Sequence, residues 1–130
     1  MDPIGHKLCD LQGRLFVNSL AAGFESEQFV RLFMRSKVAK TLDSKYNRLQ
    51  WAGEEYMMDA LQAEKELRKD GRYYKKERLY WMGYVYRYWN LHTGESSLKI
   101  LRTAPVRKLH KNYKKLHDKE LEEVIAYFKG

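Results

Sequence analysis

Apolar residues return every three or four positions along most of this chain, the spacing of amphipathic helices, and no stretch shows the strict alternation of a strand. Ile4, Leu8, Leu11, Leu15 and Ala22 predict a first helix with Pro3 in its opening turn and Gly23 at its end, weakened a little by Gly13 inside it. A second helix opens at Ser26 as N-cap, with Glu27 in the first turn and Phe29, Val30, Phe33 and Met34 on its apolar face; Ser36 restarts the chain for a short piece carrying Val38, Ala39 and Leu42. The polar run from Asp43 to Asn47 reads as a connector. A long third helix is then predicted from about Arg48 to Lys69, with Leu49, Gly53, Tyr56, Met57, Ala60, Leu61, Glu64 and Leu67 along one face and Gly71 closing it. Beyond residue 95, Ser96 or Ser97 caps a short helix containing Leu98, Ile100 and Leu101, and Thr103-Ala104-Pro105 breaks it. Val106, Leu109, Tyr113 and Leu116 predict one further helix, and Asp118 caps a last one with Leu121, Val124, Ile125 and Phe128 inward.

Between these lies Leu79 to Gly94, which holds four of the ten tyrosines and two of the three tryptophans. Its length and its closing Thr93-Gly94 favour a helix. At about 100° per residue, aromatic and aliphatic side chains cover most of its circumference. A narrow seam of Gly83, Arg87 and Asn90 interrupts them, at i, i+4 and i+7. A helix that is apolar nearly all round is buried among its neighbours. The predicted fold is therefore all-α, a compact single domain over residues 1–130, with six or seven helices around a central aromatic helix.

Composition agrees with a folded domain: 44% hydrophobic and 32% charged residues, with two prolines and eight glycines, exclude a disordered or collagen-like chain. The lone Cys9 has no partner for a disulfide, so a reducing cytoplasm is the expected location, and it reads as a small buried apolar side chain. No basic stretch with an apolar core follows Met1 and no run is long enough for a bilayer, so no membrane association is expected.

Charge changes the picture more. Of the net +8, seven basic residues (Lys99, Arg102, Arg107, Lys108, Lys111, Lys114 and Lys115) fall between Ser96 and His117 with no acid among them; the first 95 residues carry about +3 and the tail from Asp118 about −2. Such a segment faces solvent or an acidic partner. Two short helices around a Thr-Ala-Pro turn also have the outline of a helix-turn-helix, with five basic residues able to meet phosphates. Against nucleic-acid reading, the second helix offers only Asn112 as a short base-reading side chain, and Pro105 stands where a turn glycine is usual.

Catalytic motifs are missing: there is no phosphate-binding glycine loop, no Gly-x-Ser-x-Gly and no His-Glu-x-x-His. His92, His110 and His117 lack the spacing and companions of a zinc site, so no metal and no cofactor is expected. Gly83 permits a close helix approach, with Gly53 as its expected counterpart. Arg87, always charged, requires a carboxylate if buried; Glu54 or Glu55 is the expected partner in a structural ion pair, favoured over a ligand-binding arginine. The alternative, an enzyme with an unfamiliar site, would need Arg87 and Glu54 or Glu55 to line a pocket. Tyr80, Tyr84 and Tyr88 are candidate interface aromatics, since polar-tipped rings in this number reach a surface.

The pattern Tyr80-Trp81-x-Gly83-x-x-x-x-Tyr88-Trp89-x-x-x-Thr93-Gly94-x-Ser96, followed by Ile100, Pro105, Tyr113 and His117, resembles a group of small, mostly uncharacterised bacterial helical proteins, often encoded beside an ADP-ribosyltransferase-like toxin and another small helical protein. The resemblance spans roughly Gln28 to Phe128 and is firmest over Tyr80 to His117. It implies a non-enzymatic accessory or antitoxin-like component that binds and restrains a partner toxin. Members of that group carry a more acidic segment after the proline, whereas Lys111 to His117 here is strongly basic, which leaves nucleic-acid binding through residues 96–117 as the alternative.

Overall fold

The computed structural model describes residues 2–44 and 51–130 and is all-helical, with nine α-helices among the described residues. They are α1 (Pro3–Ala21), α2 (Ser26–Met34), α3 (Lys37–Leu42), α4 (Gly53–Glu64), α5 (Lys76–Thr93), α6 (Ser97–Thr103), α7 (Val106–Lys111), α8 (Tyr113–Leu116) and α9 (Leu121–Lys129). The all-α class agrees with the sequence reading; the helices are more numerous because the short piece after Ser36 is a helix of its own and the helix expected over residues 106–116 is divided.

Helix α1 begins where the sequence places it: Asp2 accepts the Gly5 N–H at 2.6 Å and Pro3 fills the first helical position, where its missing N–H costs nothing. Leu8, Leu11, Leu15 and Phe16 are buried along it, but Ile4 is 52% exposed, because the first turn runs past the core. α2 starts one residue earlier than expected, with Glu25 as the cap, and this frees the Ser26 side chain for another role. Ser36 caps α3 as predicted, accepting the Ala39 N–H at 3.1 Å.

The two longest helices, α1 and α5, run antiparallel against each other, with Gly13 beside Tyr80, Gln12 beside Gly83 and His6 beside Tyr84. Their crossing is close because both surfaces lack a side chain at the same point. A Cβ added to Gly83 would lie 2.6 Å from the Gln12 carbonyl oxygen and 2.8 Å from Gly13 Cα, and one added to Gly13 would meet the Tyr80 ring at 2.8 Å. The counterpart of Gly83 is thus Gly13. Gly53 instead opens α4 in the left-handed region, at φ +85°, with open space around it.

Helix α5 matches the predicted aromatic helix, starting three residues before Leu79 and ending on Gly94, whose φ of +78° and N–H bond to the Asn90 carbonyl at 2.8 Å make the left-handed cap. Besides α1 it contacts α6, α7 and α9. Leu79, Met82, Val85, Tyr86 and Trp89 are buried, and so is the whole seam of Gly83, Arg87 and Asn90.

The third helix is the largest departure. Of the predicted span from about Arg48 to Lys69, residues 48–50 lie outside the described ones, and α4 covers only Gly53–Glu64. At Lys65 the backbone turns extended, and residues 65–75 lie across the start of α2: Glu25 N–H donates to the Arg68 carbonyl (2.7 Å), Ser26 N–H to Arg72 (3.0 Å), and Tyr74 N–H to Ser26 Oγ (2.9 Å). Tertiary hydrogen bonds have overridden helix propensity there. The helix expected over residues 106–116 divides at Asn112 into α7 and α8, and α9 starts after Glu120, without the expected Asp118 cap.

Candidate interaction sites

Arg87 projects from the buried seam of α5 and is 1% exposed, and each of its side-chain nitrogens has a partner. Nε donates to Gln12 Oε1 (2.8 Å), Nη1 to Asp43 Oδ1 (2.7 Å) and Asn90 Oδ1 (3.1 Å), and Nη2 approaches Ser97 Oγ (3.4 Å). Asp43 also accepts the Ser97 N–H (2.8 Å) and hydroxyl (2.7 Å), while Gln12 Nε2 donates to the Gly83 carbonyl (3.1 Å). Burial lowers the pKa of Arg87 from its ordinary value, and the Asp43 charge opposes that shift. The network joins α1, the end of α3, α5 and the start of α6.

The expected pairing is therefore corrected. Arg87 has a carboxylate partner, but it is Asp43, the C-cap of α3, and not Glu54 or Glu55. Glu54 sits in the first turn of α4 and accepts from Arg14 of α1 at 2.7 Å; Glu55 is exposed. A pocket lined by Arg87 with Glu54 or Glu55 is not assembled. Asp43 looked like part of a connector, and only the return of α6 to α3, through the Ser97 N–H, marks it as a structural acid. Cys9 is fully buried and its thiol is pushed up to about 12 by burial, against the pull of Arg87, so it stays protonated.

The tyrosine hydroxyls of α5 are tied back into the protein. Tyr80 donates to Asp10 Oδ1 (2.6 Å), Tyr84 pairs with His6 Nδ1 (2.5 Å), Tyr86 donates to the Ala104 carbonyl (2.6 Å), and Tyr88 donates to Glu122. Tyr80 and Tyr84 are half-buried, while Tyr88 is only 8% exposed, which corrects its place among the interface aromatics. The more exposed large side chains are others: Trp51 (66%), Tyr56 (57%), Ile4 and Leu91.

All seven basic residues of the 96–117 segment are exposed. Arg107 Nε reaches Glu27 at 2.9 Å, Lys99 approaches Glu95 at 3.6 Å, and Lys108 and Lys115 lie over the Phe128 and Tyr127 rings. Arg102, Lys111 and Lys114 have no carboxylate within 4.0 Å among the described residues. The helix-turn-helix outline is only partly present, since α7 and α8 are six and four residues long and Asn112 is occupied by the Lys108 carbonyl (2.8 Å) and the Tyr127 hydroxyl (3.2 Å). His110 stacks on Tyr74 with ring centroids 3.6 Å apart, and burial lowers its pKa. Among the described residues no group of His, Cys, Asp and Glu is placed to hold a metal ion, and no helix is long and apolar enough to cross a membrane.

A cleft of about 670 Å³ opens where the start of α1 meets the ends of α3 and α5 and the first turn of α9. Asp2, Asp43 and Glu122 contribute carboxylates to it, Ile4, Leu8 and Leu91 apolar wall, and Tyr88 and His92 a stacked ring pair. The Tyr88 hydrogen bond lowers the Glu122 pKa, which keeps that carboxylate charged at neutral pH. No motif in the sequence marks this cleft, because its wall is drawn from four distant elements. Comparison with known proteins adds no relative: no family model, no curated protein and no solved structure matches the chain.

Proposed function

We propose that the chain is a non-enzymatic protein-binding module, an antitoxin-like component that restrains a partner toxin, built as helices packed around the aromatic α5 and presenting the basic α6–α8 segment to an acidic partner surface. The observation that carries this reading is the contrast in how its charges are used. Arg87 and Asp43, the groups best suited to chemistry, are consumed by a network that joins helices, while Arg102, Lys111 and Lys114 stand exposed without a carboxylate partner among the described residues. Exposed basic groups held on a rigid scaffold favour fast, oriented encounter with an acidic surface. The resemblance over Tyr80 to His117 supports a toxin encoded nearby as that partner, and the absence of a membrane-crossing helix among the described residues is compatible with a cytoplasmic meeting.

Nucleic acid is the second reading, favoured by the same cations. It differs in salt dependence, since contacts to phosphates release counterions and make affinity fall steeply with salt. Fluorescence anisotropy with random DNA and RNA duplexes from low to physiological salt separates the two. The protein-binding reading expects no saturable binding even at low salt. Tight binding whose salt slope falls when Lys111 and Lys114 are both changed to Ala would replace it with the nucleic-acid reading.

A further inference from the structure

We infer that the outer crest of α7 and α8, formed by Arg107, Lys111 and Lys114, is a docking stripe for an acidic helix of the partner protein, one with Asp or Glu at i, i+4 and i+7. The three cations are themselves spaced i, i+4 and i+7, which brings them to one side of the winding over about 10 Å of axis. Val106, Leu109 and Leu116 are buried on the opposite side, while all three cations are exposed. Asn112, at φ −95° and ψ 11°, disturbs the winding without reversing it, since the Leu116 N–H still reaches its carbonyl at 3.0 Å.

Both flanks of these helices are used within the molecule, and only the crest is left over. On one flank Lys108 and Lys115 lie over the Phe128 and Tyr127 rings of α9, and Asn112 accepts from the Tyr127 hydroxyl. On the other, His110 stacks on Tyr74, and Tyr113 meets the Trp81 ring edge-on with the Arg78 guanidinium over its own ring. On the crest, Glu27 of α2 holds Arg107 through Nε at 2.9 Å, and Lys111 and Lys114 have no carboxylate within 4.0 Å among the described residues. Residues 45–50 contain no Asp or Glu, so every acidic side chain of the protein belongs to a described residue. The turn before α7 is pinned by the Tyr86 hydroxyl on the Ala104 carbonyl at 2.6 Å, so the cations stand on a fixed support and binding orders little backbone.

Charge complementarity selects the occupant. A helix with acids at i, i+4 and i+7 shares the pitch of the stripe, so three exposed ion pairs form together without unwinding either side. A phosphate backbone would be met as well by cations in any arrangement, and the one short base-reading side chain here, Asn112, is already bound to the Lys108 carbonyl and the Tyr127 hydroxyl.

This inference deepens the protein-binding reading and rests on it for the carrier of the acidic helix, but its test needs no partner, so the two fail separately. The full chain, labelled with nitrogen-15, is titrated at low salt with an alanine-based helical peptide bearing glutamates at i, i+4 and i+7. Controls are a peptide of the same composition with its glutamates spread round the helix, and a single-stranded RNA of the same net charge. Saturable shifts are expected at the amides of Arg107, Lys111 and Lys114 with the striped peptide, and weaker binding of both controls. Lys111→Gln with Lys114→Gln is expected to weaken the striped peptide by about tenfold, the loss of two exposed ion pairs. Lys7→Gln with Lys40→Gln, which removes the same charge from α1 and α3, is expected to leave it unchanged. Absence of saturable shifts, equal affinity for the scattered peptide, tighter binding of the RNA, or equal losses in the two double variants would overturn the assignment.

Discussion

The energetic weight of the Arg87 network falls on Asp43, because a buried guanidinium that loses its counter-charge has no solvent to replace it. Asp43→Asn is expected to destabilise the fold by about 3 kcal/mol in chemical denaturation. Glu54→Gln, which removes an ion pair with the exposed Arg14, is expected to cost under about 1 kcal/mol. The reverse order would return the structural role to Glu54. Gly83→Ala is expected to destabilise as well, by about 1–3 kcal/mol, since its Cβ would lie 2.6 Å from the backbone oxygen of Gln12 and backbone cannot swing aside as a side chain can. At this scale the sequence made clear what Arg87 needed but not who supplied it. A buried arginine demands a carboxylate by its chemistry alone; choosing among seventeen acids depends on which loop returns to the seam. The same holds for Gly83, whose need for a close neighbour was legible and whose neighbour, Gly13, looked only like a flaw in α1.

Elements were legible where local signals and packing agreed. Asp2-Pro3, Ser36, Ser96 and Gly94 each act at the end of a helix as their chemistry dictates, and the stripes of α2, α5 and α9 are buried as the spacing predicts. The failure lies between residues 65 and 69, where charged, helix-favouring residues leave the helix after the backbone turns extended at Lys65. Local pattern gives no warning there, because the competing bonds come from α2, some forty residues away in sequence. Ser26 is the centre of that arrangement, buried, with its Oγ accepting the Tyr74 N–H. Ser26→Ala is expected to cost about 1–3 kcal/mol, the penalty for an unsatisfied backbone donor, and to speed hydrogen exchange at the Tyr74 amide. Unchanged exchange would mean that the segment is held by other contacts. The cleft was illegible for a related reason: its residues come from helix ends scattered from Asp2 to Glu122, and no spacing joins them.

At the scale of the whole molecule, Glu95 ties the turn after α5 to the end of the chain, accepting from Trp89 Nε1 at 3.0 Å and from Lys129 at 2.6 Å. Those bonds hold its pKa at about 2, below the ordinary 4.5. A carboxyl depressed in the folded state stabilises the fold above its unfolded pKa, and that contribution is lost as pH falls through the folded value. Stability is therefore expected to decline between about pH 4.5 and 2, with a shallower decline in Glu95→Gln measured by acid titration of helicity. Within the basic segment, Arg102, Lys111 and Lys114 carry no such burden, having no carboxylate within 4.0 Å among the described residues. Changing Arg102, Lys111 and Lys114 together to Ala is expected to leave stability within about 0.5 kcal/mol, as for other surface substitutions. That separation of fold from face allows a direct trial of the binding role. Where the proposed function holds, a toxin is encoded nearby; the chain is co-expressed with the neighbouring gene products and any complex is analysed by size-exclusion chromatography, for the native sequence and for the triple alanine variant. The expected result is a stable complex and relief of toxicity with the native chain, both lost in a variant that remains folded. No complex and no relief with the native chain, or a complex indifferent to the three substitutions, would contradict the role assigned to the basic face.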